Sequence, residues 1–303
     1  MPLGAPTVRV GAWKRVPLRA VDLDRVKTDL TLHSMTTRYG AQEGDDLIEL
    51  YREDPDDPTA IYVPRNYKVK GLAETREKLT FDTVTWPEDH IQLRNKTQQL
   101  AFEALSAPPG KSLGRLLVLA CGKGKSVVSL KAGMTRNVPI GVVVDLETLV
   151  TQWTQMAVEH CGLKESEVGI VQGKRRDWQG KPLTIMMVQT LMQKPADEWP
   201  EDFRRYFGLV FYDEAHVLGA RRFSWTAPMF YGERWALTAT PDRHDGNDAI
   251  LHYHFAKVPC YTDIEQDLVP DVFVHHTGMK NPDVYLVPKA WIGKKVITAQ
   301  ERS

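Results

Sequence analysis

The chain has 303 residues, 42% hydrophobic and 26% charged, with 39 Lys and Arg against 39 Asp and Glu. That length suits two ordinary domains, and the zero net charge removes any whole-molecule electrostatic case for nucleic acid, so a basic surface would have to be local. Three scattered cysteines, Cys121, Cys161 and Cys260, exclude a disulfide framework or a cysteine zinc site, no apolar run approaches the roughly 20 residues of a membrane span, and the N-terminus has no signal-peptide core, so a soluble, cytoplasmic protein is expected.

In chain order, residues 1 to 88 read as a small α+β accessory domain. "VRVGAWKRVPLRA" is basic, and "AQEGDDLIELYREDPDDP" is acidic and ends in turn residues. "TAIYVPRNYKV" reads as a strand pair interrupted at Pro64. Arg65 with Tyr62 and Tyr67 offers a cation and stacking faces to nucleic acid; an ordinary half-buried sheet edge is the alternative.

Gly-Lys-Ser then occurs twice, at residues 110–112 and 124–126. A phosphate loop needs a buried strand, a glycine turn and a helix whose first N–H groups face the anion. Pro108 and Pro109 precede the first copy and Gly114 follows it, so that copy is expected to be a turn. The second lies between the strand-like "RLLVLA" and "SVVSLKAGM", which can form a helix. Gly122 and Gly124 let the backbone wrap a phosphate, Lys125 reaches the β and γ phosphates, and Ser126 suits Mg²⁺. The full phosphate-loop spacing asks for Gly where Leu119 stands, which leaves a structural glycine turn open on this pattern alone.

Further on, "VPIGVVV" reads as a strand, "ETLVTQWTQMAVEH" as an amphipathic helix, and "LTIMMVQ" as a strand. "GLVFY" is a strand ending in Asp213-Glu214-Ala215-His216, and "RWALT" is a strand ending in Thr238-Ala239-Thr240. Adjacent carboxylates suit Mg²⁺-nucleotide chemistry, Asp213 holding the metal through water and Glu214 acting as base; an acidic helix cap is the alternative. The βαβ alternation implies a doubly wound parallel sheet whose strand ends share one ligand-binding edge. "GKRRDWQGK", with Lys174, Arg175, Arg176 and Trp178, could track a phosphate backbone. "LHYHF" sets His252 and His254 on one strand face, and His275-His276 follow; without a Cys pair or carboxylate cluster these read as structural.

In order, "ACGKGKS", "DEAH" and "LTATPDRHDG" resemble motifs I, II and III of the superfamily 2 helicases and translocases. The resemblance covers roughly residues 90 to 275 and is closest to repair, remodelling and restriction types, including phage branch-migration enzymes. It implies an α/β fold with a RecA-like motor domain over 89–277, the accessory domain at 1–88, and 278–303 as a linker towards a second motor domain. It implies ATP and Mg²⁺ as cofactors. Cys121, Gly122, Lys123, Gly124, Lys125 and Ser126 would hold the phosphates, with Ser126 and Asp213 on the Mg²⁺. "LRNKTQQLAFEAL" resembles the adenine-reading segment, placing Arg94 and Gln98 at the base, although the family's usual Tyr is Thr97 here.

His216 would couple Glu214 to Thr238 and Thr240. "VVVDLETLVTQW" resembles motif Ia with Asp145-Leu146 in place of Pro-Thr. Gln189 and Thr190 fall at a nucleic-acid backbone position, beside Lys174, Arg175 and Arg176. The implied partners are DNA, double-stranded or branched, and a second RecA-like domain in cis or in trans. Motifs IV to VI, with their arginine fingers, have no counterpart before Ser303, so the expectation is half a motor with weak hydrolysis alone. The implied function is the N-terminal half of an ATP-dependent DNA helicase. The alternatives are a translocase that does not separate strands and a nucleotide-dependent binding module.

Overall fold

A computed structural model of the chain describes residues 7–33, 47–108, 114–216, 224–240, 249–264, 290–292 and 295–297. In the N-terminal part, β1 (Thr7–Val10) and β2 (Lys14–Pro17) form an antiparallel hairpin. Helix α1 (Leu23–Leu30) follows; the Asp22 side chain accepts the Arg25 N–H at its start, and the helix buries Val26 and Leu30. β3 (Thr31–His33) pairs with β4 (Leu47–Glu49). β5 (Arg52–Glu53), β6 (Ala60–Val63) and β7 (Ala73–Arg76) complete a five-stranded sheet of order β5-β6-β2-β1-β7, antiparallel except at β1–β7. The strand pair expected across Pro64 is a single strand. The chain turns after Val63, with the Tyr67 N–H donating to the Pro64 carbonyl at 3.0 Å, because proline offers no ladder donor.

The rest of this unit alternates as expected. α2 (Lys96–Ser106), capped by Asn95, leads to β8 (Gly114–Leu119), α3 (Lys125–Met134), β9 (Ile140–Val144) and α4 (Glu147–Cys161). Then come β10 (Val168–Gln172), β11 (Arg175–Asp177), β12 (Leu183–Met187), the single turn α5 (Val188–Leu191), α6 (Glu201–Tyr206) and β13 (Leu209–Tyr212). β14 (Glu233–Thr238), α7 (Ala249–His254) and β15 (Tyr261–Asp263) close it. The sheet order is β11-β10-β12-β9-β13-β14-β8-β15, and every pairing except β10–β11 is parallel. This is the mixed α/β, parallel-rich architecture expected from the sequence. Its crossovers leave the carboxyl ends of β8, β14, β13, β9, β12 and β10 along one edge.

These strands are buried on both faces, and alternate residues feed two cores. Leu116, Val118, Val210, Tyr212 and Ala236 join a core that also holds Val8, Val16, Ile61 and Tyr67 of the N-terminal part. Leu117, Leu119, Leu209, Phe211, Trp235 and Leu237 join another with residues of α2, α3 and α4. The N-terminal part therefore packs on one face of the large sheet, and both lie in one compact unit, Met1–Gln266.

Arg65 takes part in that packing. It is 4% exposed and donates to the carbonyls of Phe230 and Gly232 at 2.9 and 3.0 Å. Arg234 beside it is fully buried and bonds the Phe230 and Ala12 carbonyls. Of the two readings open for Arg65, a cation for nucleic acid or an ordinary half-buried position, the buried one holds: it fastens the N-terminal part to the backbone entering β14. His252 and His254 lie on helix α7, not on a strand; an alternation of only a few residues cannot separate the two periods. Among the described residues, no group of three or more His, Cys, Asp or Glu could hold a metal, and no helix is long and apolar enough to cross a membrane.

A second unit, Asp267–Ser303, contains an antiparallel hairpin of β16 (Ala290–Ile292) and β17 (Lys295–Ile297). The first Gly-Lys-Ser copy, Pro241 to Arg243 and His275-His276 lie outside the described residues.

Candidate functional site

The loop between β8 and α3 is shaped by two glycines. Gly122 and Gly124 have φ of 80° and 82°, a left-handed conformation that side chains disfavour. Gly124 caps α3, so the first helical N–H groups, at Lys125 and Ser126, open towards the loop. Leu119, where the full spacing asks for glycine, is the buried last residue of β8. Its carbonyl accepts from Lys125 Nζ at 3.3 Å. The strand simply runs one residue into the motif, and the turn is made by Ala120 to Gly124. Lys125 is 8% exposed, and the other partner of its ammonium is Glu214 Oε1 at 3.7 Å. A buried ammonium with three donors and one long hydrogen bond is underserved, which suits an incoming anion.

β13 delivers the carboxylates two strands away. Asp213 is 5% exposed, and its N–H donates to Val143. Its Oδ2 accepts the indole N–H of Trp153 at 2.9 Å, and its Oδ1 accepts the Glu214 N–H at 3.1 Å. Burial pushes the Asp213 carboxyl up, while the Trp153 bond works the other way. Glu214 adopts φ of 46°, a strained conformation for a side-chain-bearing residue. That turn lets one carboxylate face Lys125 through Oε1 and His216 Nδ1 through Oε2, the latter at 3.3 Å. The His216 bond holds the Glu214 carboxyl below the usual range; burial opposes this, and the Lys125 charge adds to it. His216 Nδ1 lies 3.5 Å from Thr238 Oγ1, which donates to the Thr240 carbonyl and accepts the Thr240 N–H, both at 3.1 Å. Lys125, Glu214, His216, Thr238 and Thr240 thus form one continuous chain of contacts.

Gln98, buried on α2, reaches the same loop. Its Oε1 accepts the Arg94 N–H at 2.8 Å, and its Nε2 donates to the Lys123 carbonyl at 3.1 Å. One acceptor site and one donor remain on the amide. Arg94 and Cys121 are exposed, and Ser126 is half-buried at the start of α3. At Thr97, the hydroxyl donates to Asp263 Oδ2 at 2.9 Å, and Asp263 Oδ1 pairs with Lys123 at 2.9 Å. Asp263 on β15 and Trp153 on α4 contact candidate site residues, and neither was singled out from the sequence. A tryptophan on an amphipathic helix reads as core, and an aspartate on a short edge strand carries no motif.

Along the same edge, Gln189 is exposed and donates to the Asp145 carbonyl at 2.7 Å. Thr190 is 3% exposed, its hydroxyl accepting the Gly173 N–H at 2.9 Å, so it braces the β10–β11 turn from beneath. Lys174, Arg175 and Arg176 are exposed on that hairpin. The Arg176 guanidinium and the Lys194 ammonium each lie 5.1 Å from the Trp199 ring. Lys125, Asp213, Glu214, His216, Thr238 and Gln98 come together; the basic hairpin stands farther along the edge, beyond β9 and β12.

Residues 62–243 match a family model described as the res subunit of type III restriction enzymes. The DNA 3'-5' helicase XPB of Mycobacterium tuberculosis is 33% identical over 236 residues, which span 76% of this chain and 42% of that protein. The XPB helicase of Kineococcus radiotolerans is 33% identical over 136 residues, or 44% of this chain and 24% of that one. The chain therefore spans less than half the length of these relatives. Among solved structures, the UvsW helicase of bacteriophage T4 superposes with a TM-score of 0.57 at 14% identity, over 82% of this chain and 97% of that one, a likeness of fold.

Proposed function

For a chain that belongs to the type III restriction enzyme res-subunit family, and with it to superfamily 2, we propose the role of nucleotide-binding motor region in an ATP-dependent DNA helicase or translocase. Mg²⁺-ATP would be held by the loop 121–126. Lys125 would neutralise phosphate oxygens, Ser126 and Asp213 would take the Mg²⁺, and Gln98 with Arg94 would face the adenine. The bound metal supplies charge neutralisation at the phosphates. Glu214, kept ionised by His216 and Lys125, is suited to accept a proton from the attacking water. His216 would carry the state of Glu214 to Thr238 and Thr240. DNA would run along the carboxyl edge past Gln189 and the Lys174 to Arg176 hairpin. Residues 1–88 would act as the accessory domain, 89–277 as motor domain 1 and 278–303 as linker.

The observation that carries this reading is the contact of a buried, underserved Lys125 with Glu214 at 3.7 Å, across two strands and 89 residues of sequence. Phosphoryl transfer spreads charge over oxygens that one lysine and one metal neutralise only in part, and an arginine finger typically contributes about 10³ to 10⁵ in rate. In the reading proposed here, a second RecA-like domain, in cis or in trans, provides it.

Steady-state ATP hydrolysis with and without DNA, on the chain alone and with a second motor domain added, tests the proposal. Hydrolysis should be weak alone, should rise with DNA when the second domain is present, and should vanish in Glu214→Gln while nucleotide binding persists. Undiminished turnover by Glu214→Gln under those conditions would remove Glu214 from the chemistry.

A further inference from the structure

Asp263, the last residue of β15, binds the phosphate loop and helix α2 at once. Its backbone carbonyl accepts the Ala120 N–H at 2.8 Å, where the loop leaves β8. Its carboxylate pairs with Lys123 Nζ through Oδ1 and accepts the Thr97 hydroxyl through Oδ2, each at 2.9 Å. The Lys123 and Asp263 side chains are 9% and 18% exposed, so water and salt screen the pair little. Thr97 precedes Gln98 on α2, and the Gln98 amide donates to the carbonyl of that same Lys123. Thr97, Asp263, Lys123 and Gln98 therefore close a ring of contacts, although Asp263 stands 166 residues from Thr97 and 140 from Lys123.

The ring fixes which way the Gln98 amide points. A glutamine amide is nearly symmetrical in shape, and its partners decide which end is oxygen. Here both partners are backbone groups that can act in one sense only. The Arg94 N–H must donate, and the Lys123 carbonyl must accept. Reversing the amide would set N–H against N–H and carbonyl against carbonyl. The acceptor site and the donor left on the amide thus keep a fixed order. Adenine presents an amino donor beside the N7 acceptor and suits a bidentate amide, whereas guanine presents two acceptors, O6 and N7. An amide held in one sense favours adenine; an amide free to turn can offer its N–H groups to guanine O6.

Resting on the nucleotide reading above, we propose that Asp263 is a positioning residue for base selection. By tying Lys123 and Thr97 together, it locks the Gln98 amide in the sense that takes adenine and refuses guanine. Asp263 itself touches no base and no phosphate in this account. It acts through the Lys123 carbonyl at one end of the amide and through the helix that carries Gln98 at the other.

The test titrates ATP and GTP separately into the 303-residue chain, and the readout is the ratio of the two affinities. The wild type should prefer ATP by about tenfold or more, the discrimination of one bidentate base contact. Asp263→Ala should bring the ratio close to one by weakening ATP, with GTP bound no more weakly than by the wild type. Lys123→Met, which removes the ion pair and keeps the backbone carbonyl, should do the same. Thr97→Val, which removes one hydrogen bond at constant shape, should lower the ratio by about threefold. Unfolding midpoints establish that each variant is folded, and the Lys123 and Thr97 variants carry the test if Asp263→Ala is not. A wild-type ratio in the folded variants, or equal losses of ATP and GTP affinity, would overturn the proposal, since a merely structural brace weakens both nucleotides alike. A wild type that binds neither nucleotide, or both equally, would remove the adenine reading itself, as would a Gln98→Ala protein with the wild-type ratio, and this proposal would fall with it.

Discussion

Replacing Gly124 and Gly122 separately by alanine should have unequal effects, although both have almost the same φ, 82° and 80°. An L-residue in that conformation costs about 1–2 kcal/mol. At Gly122 that is the whole cost, because an added Cβ meets nothing within 4 Å. At Gly124 the Cβ would stand 2.6 Å from Gln98 Nε2. Gln98 must then swing away, losing its bonds with Lys123 and Arg94, worth about 1 kcal/mol each. Gly124→Ala should therefore cost about 3–4 kcal/mol and Gly122→Ala about 1–2 kcal/mol, read from urea unfolding of the nucleotide-free protein. Since Gln98 is the proposed adenine reader, Gly124→Ala should also erase the preference for ATP over GTP in binding titrations, while Gly122→Ala keeps it. A Gly124→Ala protein as stable as Gly122→Ala, with the wild-type base preference, would refute this account of the loop.

Arg65→Ala removes a buried guanidinium from two carbonyls and should lower unfolding free energy by about 3–5 kcal/mol, with Arg65→Lys losing less; a chemical denaturation midpoint that does not move would exclude the rivet. His254 has its pKa pushed well below 6.5 by burial, then by Arg234 and Arg65. The neutral ring is the folded form, so its contribution is complete above pH 6.5 and declines as pH falls below that, by up to about 1.4 kcal/mol per pH unit. Unfolding measured from pH 7 to 5.5 should show this slope in the wild type and a flatter one in His254→Phe.

The loop 120–126 and the strand ends beside it were legible because their signals are local. The run before Gly122, the helix after Gly124, and the strands ending at Asp213 and Thr238 each announce an element within a few residues. A parallel sheet then has to align their ends. Contacts made across the sequence carried no such signal. Trp153 meets Asp213 from 60 residues away, and Thr97 meets Asp263 from 166. Arg65 between Tyr62 and Tyr67 has the composition of a nucleic-acid site, yet its charge is spent on carbonyls 165 and 167 residues ahead, a destination no neighbouring residue betrays. Thr190 likewise sits at a contact position by pattern but faces inward, because the turn at Gly173 needs its hydroxyl.

In the proposed function the second Gly-Lys-Ser, and not the first, binds nucleotide phosphate. Calorimetric titration of Mg²⁺-ATP into the wild type, Lys125→Ala and Lys111→Ala tests it most directly. Lys125 is the underserved ammonium facing Glu214, and its removal should weaken binding by about a hundredfold or more. Lys111→Ala should bind as the wild type does. Equal losses from the two substitutions, or full binding by Lys125→Ala, would contradict the account.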